Sequence, residues 1–135
     1  MTYRIKDFPY MKKLLWVDFA AGAVTSLLGI FLAGFFAPIF GIPEAVLFWM
    51  HVVTLGYALV SSTLAIPQKV NMPRLIGLIA GNWLWVPVNL VLIYFYFGEA
   101  TLLGKLFLIS QIVFVGGLAY IEGRQLEKQP AKVLP

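Results

Sequence analysis

Four apolar runs, each about as long as a lipid bilayer is thick, constrain this chain more than any motif it carries. Hydrocarbon about 30 Å thick takes roughly 20 helical residues to cross at 1.5 Å of rise per residue. Residues 14–36, 44–66, 75–97 and 103–120 each meet that requirement. The breaks between them, "APIFGIPE", "PQKVNMPR" and "GEATLLG", are short and rich in proline, glycine or charge. Loops this brief make neighbouring helices antiparallel. The expected fold is therefore all-α, an integral membrane four-helix up-down-up-down bundle forming a single domain over residues 1–135, with short cytoplasmic tails.

Composition points the same way. A chain of 135 residues that is 61% hydrophobic and 12% charged has too much apolar surface to enclose in a water-soluble core. The first run is longer than a signal-peptide core and carries Asp18, so it is expected to remain as a span. The absence of cysteine excludes disulfides, thiolate metal sites, c-type haem attachment and cysteine nucleophiles. No metal-ligand spacing and no cofactor motif is present, and the sole histidine, His51, cannot build a bis-histidine haem site within one chain. The net charge of +4 does not indicate a nucleic-acid partner, because the basic residues cap apolar runs and form no patch interleaved with aromatics. Arg4, Lys6, Lys12, Lys13, Lys69, Arg74, Arg124, Lys128 and Lys132 fall on one side of the spans, and Lys105 alone falls on the other. That bias places both termini and residues 67–74 in the cytoplasm, with the chain in a cytoplasmic membrane.

Polar side chains inside the runs mark where a site would lie, since lipid offers them no partners. Counting 1.5 Å per residue from the outer helix ends, His51, Asn89 and Gln111 fall at about 10–12 Å of depth, with Thr25 and Ser26 slightly deeper. This outer layer is either a small pocket or an interhelical hydrogen-bond cluster. An inner layer holds Asp18, with Ser61 and Ser62 at similar depth, and Asn82 reaches toward it. Asp18 and Glu122 form a paired-carboxylate site if the first and last spans touch. Otherwise Asp18 meets Lys12, Lys13 or Arg124, and Glu122, at a helix end, is solvated. Asn82 and Asn89 are two turns apart and share a face. Pro87 leaves the carbonyl of Trp83 without its helical donor, for Asn89 or a water to satisfy. Trp83 and Trp85 are too deep for an interfacial belt and read as packing residues or as pocket walls. Asp18, Gly22, Ser26 and Gly29 form a small-residue strip, its expected partner being the last span or a second copy of the chain.

With these residues placed, the chain resembles an uncharacterised family of small bacterial four-helix integral membrane proteins. The resemblance rests on "LLWVDFAAGAVTSLLG", "FGIP", "NWLWV", "TLLGKLFLISQ" and "LAYIEG", and covers nearly the whole length. Its most specific element is Asn82, Leu84, Trp85 and Val86 in the third run followed by Gln111 in the fourth, together with Asp18 and Glu122. His51 and Asn89 stand outside that pattern. The resemblance implies a fold and a bacterial membrane location, and no activity.

Two functional classes follow. One is binding or transport of a small lipophilic molecule in a pocket between the helices, with Asp18, His51, Asn82, Trp85, Asn89, Gln111 and Glu122 as candidate ligand-binding residues. The other is an accessory or scaffold subunit, docking a larger membrane complex or pairing as a homodimer through its glycine strip. No catalytic constellation is recognisable, so an enzyme is disfavoured. The topology is directly testable: a cysteine introduced at Gly98 is expected to react in intact cells with a membrane-impermeant thiol reagent, and one at Gln68 only after the membrane is opened. The reverse pattern would invert the orientation.

Overall fold

The computed structural model describes residues 2–129. Lys132, counted above on the basic side, lies outside them. The chain forms helices α1 (Phe8–Phe31), α2 (Ala33–Phe40), α3 (Glu44–Ala65), α4 (Met72–Tyr96) and α5 (Leu102–Arg124), flanked by short strands β1 (Thr2–Ile5) and β2 (Leu126–Gln129). Helices α1, α3, α4 and α5 are each long and apolar enough to cross a membrane.

Capping chemistry sets the helix starts, and it moves two of them away from the edges of the apolar runs. Asp7 accepts a hydrogen bond from the backbone N–H of Tyr10 at 3.1 Å, with a proline in the first turn, so α1 begins at Phe8 and not at Leu14. Asn71 accepts from the N–H of Arg74 at 3.1 Å in the same way, and α4 begins at Met72. Thr101 caps α5 by accepting from the N–H of Gly104 at 3.1 Å. At its other end α5 runs on to Arg124, beyond the expected Tyr120, which brings Glu122 inside the helix.

The first span is also not one helix to residue 36. It breaks at Leu32, whose φ of −115° and ψ of 21° leave the helical region. The N–H groups of Phe35 and Phe36 both turn to the Leu32 carbonyl. The short α2 that follows contains Pro38, placed above in the turn, and ends at Gly41, whose φ of 67° is the left-handed conformation that glycine adopts without strain. This redirection lets Phe40 stack on Phe107 of α5 with centroids 4.9 Å apart. The end of α2 and the start of α5 then meet backbone to backbone. Thr101 donates its N–H to the Phe40 carbonyl at 2.9 Å and its hydroxyl to the Ile39 carbonyl at 2.6 Å. Gly104 permits this approach, since a Cβ there would lie 1.9 Å from the Phe40 oxygen.

Helix α1 packs chiefly on α3, and α4 on α5, while α1 and α5 barely touch. The strip of Asp18, Gly22, Ser26 and Gly29 therefore serves α3, not the last span. A Cβ on Gly22 would stand 3.2 Å from the Cβ of Ala58, and Gly29 lies directly beneath the ring of His51. Two apolar clusters close the ends of the molecule, one around Met11, Leu15, Leu64 and Leu75, the other around Ile42, Leu47, Met50 and Leu108. Polar residues occupy the level between them.

The chain ends, read above as tails, pair as antiparallel strands with Thr2 opposite Gln129 and Ile5 opposite Leu126. Arg4 and Glu127 face each other across the pair at 2.7 Å. As both are exposed, the ion pair contributes at most about 1 kcal/mol.

Gly104→Ala is expected to lower the melting temperature of the detergent-solubilised protein, because overpacking against backbone costs about 1–3 kcal/mol. Gly77→Ala, where a Cβ meets nothing within 4 Å, should leave it unchanged or raise it.

Candidate functional site

Each of the four long helices contributes one buried polar side chain to a single cluster: Asp18 from α1, Ser61 from α3, Asn82 from α4 and Glu122 from α5. Asn82 donates its side-chain N–H to Oδ2 of Asp18 across a long 3.4 Å, and the Asp18 carboxyl also lies against Ser61 and Glu122. Glu122 is 0% exposed, so it is not the solvated helix-end residue of the alternative above. Neither of its carboxyl oxygens receives a hydrogen bond, and its carboxyl is set against that of Asp18.

Of the cations considered as partners for these acids, Lys12 and Arg124 are engaged elsewhere and Lys13 is exposed. Lys12 donates its ammonium to the carbonyls of Leu64 at 2.7 Å and Ala65 at 3.3 Å, and to that of Pro67, capping the end of α3. The Arg124 guanidinium lies over the Tyr120 ring, 5.7 Å from its centroid. Among the described residues no basic side chain pairs with Asp18 or Glu122.

Asp18 and Asn82 form the polar end of a cavity of about 260 Å³ enclosed by α1, α3, α4 and α5. Thr25, Thr54 and Gln111 add polar groups along its walls, while Tyr57, Trp85 and Phe114 supply aromatic surface. Tyr57 is held by a hydrogen bond from its hydroxyl to the Gly81 carbonyl at 2.9 Å. The absence of a side chain at Gly81 makes room for that ring, because a Cβ would fall 2.7 Å from Tyr57 Cε1. Where α1 and α5 separate, exposed Thr25, Ser110 and Phe114 stand at the mouth of the cavity, at mid-span.

Of the candidate residues, Asp18, Asn82, Trp85 and Gln111 line this cavity, and Glu122 backs Asp18. His51 and Asn89 do not line it. His51 places Nδ1 2.6 Å from the Leu47 carbonyl of its own helix and stacks on Phe107. Asn89 donates to the carbonyl of Trp85 at 2.8 Å, and not to the one freed by Pro87, while its own Oδ1 is buried without a donor. The two deep tryptophans divide: Trp85 is buried and Trp83 is exposed. The cavity thus joins members of both expected layers. Thr54 and Tyr57, missed above, carry a legible signal: with Ser61 they recur at helical spacing on one face of α3.

No protein-family model, curated protein or solved structure matches the chain.

Removing the interhelical amide by Asn82→Leu is expected to cost about 1–2 kcal/mol, read as a lower melting temperature in detergent. Asn89→Leu should be nearly neutral, because it removes an acceptor that is already unpaired along with one bond internal to its own helix. Equal losses in the two variants would contradict this division.

Proposed function

We propose that the chain is a bacterial cytoplasmic-membrane protein, an up-down-up-down four-helix bundle with both termini in the cytoplasm, that binds or transports a small lipophilic molecule in the cavity beside Asp18 and Asn82. The topology rests on the one-sided distribution of Lys and Arg and on four candidate spans, an even number that returns the chain to the side it started from. The pairing of β1 with β2 agrees with it, since the two chain ends lie together.

One observation carries the functional reading. The cavity opens between α1 and α5, halfway along the spans, through a mouth of Thr25, Ser110 and Phe114. A molecule dissolved in hydrocarbon reaches such a mouth directly, whereas a strongly hydrated solute would first have to leave water. The interior combines aromatic walls with a few fixed polar groups, the usual composition of a small-molecule site.

Native mass spectrometry of protein released from mild detergent is expected to show a retained small molecule on the wild type. Gln111→Trp, which fills the cavity from its wall, should lose that adduct and keep its melting temperature. Absence of any adduct, together with a stoichiometric partner protein in a mild-detergent pull-down, would overturn the reading in favour of an accessory subunit.

A further inference from the structure

The cavity is supplied with acceptors and has few donors. The hydroxyls that reach it are already donating to their own helices: Thr25 to the Ala21 carbonyl at 2.7 Å, Thr54 to that of Met50 at 2.9 Å, and Ser110 to that of Phe107 at 2.8 Å. Their lone pairs remain. The Asn82 side-chain N–H turns to Asp18, and the Tyr57 hydroxyl is taken by Gly81. The polar end holds two carboxyls set against each other with no basic partner among the described residues, and Glu122 receives no hydrogen bond at either oxygen. Two such groups in a medium without water cannot both stand as bare anions, so a proton or a cation lies with them.

We propose that the ligand of this cavity is a lipophilic cation, an amine or quaternary ammonium carried on an apolar body, with its charge at Asp18 and its body against Tyr57, Trp85 and Phe114. This rests on the reading of the cavity as a small-molecule site and adds the chemical class. The cationic head offers positive charge to a wall that has no basic side chain, and where it is an amine it adds N–H donors to the few supplied by the carboxamides of Gln111 and Asn82. Aromatic faces beside the acid attract the same charge through their quadrupoles. An anionic ligand is excluded by the carboxyl pair, which has no basic partner among the described residues to balance it. A neutral lipophile satisfies the walls and leaves the acid end unused.

The test compares benzyltrimethylammonium with neopentylbenzene, which has the same shape without the charge. Each is equilibrated by dialysis with protein in nanodiscs of zwitterionic lipid, and binding is taken above that to empty nanodiscs. The cation is expected to bind about tenfold or more tightly than its neutral counterpart, a difference of about 1.4 kcal/mol. Asp18→Asn should abolish the preference while retaining the neutral probe, and Asn89→Leu, which removes a neutral polar group outside the cavity, should preserve it. If Asp18→Asn does not give a monodisperse protein, Asp18→Ser replaces it, and an unchanged preference there overturns the proposal. Equal or tighter binding of the neutral probe to the wild type overturns the cationic class, assigns a proton to the carboxyl pair and leaves the small-molecule site standing. Binding of neither probe above empty nanodiscs overturns both.

Discussion

Inside hydrocarbon a polar side chain finds its partners in the protein or not at all, and the arrangement of this chain follows from how each such group meets that demand. The hydroxyls meet it cheaply. Ser26, Ser61, Ser62, Thr63 and Ser110, like Thr25 and Thr54, donate to carbonyls three or four residues back in their own helices. Such bonds need no neighbouring helix, so they say nothing about which spans touch. Carboxyls and carboxamides have no equivalent way of satisfying both ends. Asp18 draws on Asn82 from another helix, Asn89 satisfies one end and strands the other, and Glu122 is left with the Asp18 carboxyl alone. Of these, Asp18, Asn82 and Glu122 lie together at the polar end of the cavity, whereas the stranded oxygen of Asn89 lies two turns away and outside it.

This distinction explains what could be read in the sequence. Depth counting brought Asp18 and Asn82 together, because two groups that need partners from other helices are forced inward at whatever level they occur. It failed for His51, whose ring nitrogen reaches the Leu47 carbonyl within α3 and needs no cross-helix partner. The spans were legible from length and hydropathy, since crossing hydrocarbon fixes both. Their ends were less so: hydropathy finds where apolar character starts, whereas a helix starts where its N–H groups are capped, at Asp7 and Asn71. The break at Leu32 left no local mark of its own, and its cause lies in tertiary contact, in the stacking of Phe40 on Phe107 and the meeting of α2 with α5. The burial of Glu122 was lost with the last turn of α5, because a helix thought to end at Tyr120 leaves residue 122 in water. The strands at the chain ends lie beyond any signal of hydropathy and depend on pairing across the full length of the sequence.

Glycine placement decides which helices come close. Gly22 and Gly29 bring α1 onto α3, so close that a methyl group at Gly29 would overlap the His51 ring. With α1 drawn toward α3, and α4 packed on α5, the seam between α1 and α5 receives little side-chain filling. The cavity thus lies beside the tightly packed interface of α1 and α3, with Asp18 and Gly22 of the small-residue strip on its wall.

A seam with so little contact would be expected to splay, yet it is tied at both ends. At one end α2, continuous with α1, is hydrogen-bonded to the start of α5 through the Phe40 carbonyl and Thr101, with Gly104 admitting the contact. At the other, β1 leads into α1 and β2 follows α5, and the N–H of Lys6 reaches the Gln125 carbonyl at 2.8 Å just before the two strands pair. Both ties are made of backbone hydrogen bonds between segments contiguous with the two helices, so they fix the separation of the helix ends whatever fills the middle. The gap that remains is a window of set height in the side of the molecule, framed above and below by backbone. The polar end of the cavity, where Asp18 meets Asn82, lies inside that frame, between the apolar cluster of Met11 and Leu75 and the mouth at Thr25 and Ser110. On the proposed reading, a molecule entering from lipid meets Phe114 at the mouth and Asp18 at the polar end, so its apolar part would be buried in the cavity while its polar part reaches Asp18 without returning to water.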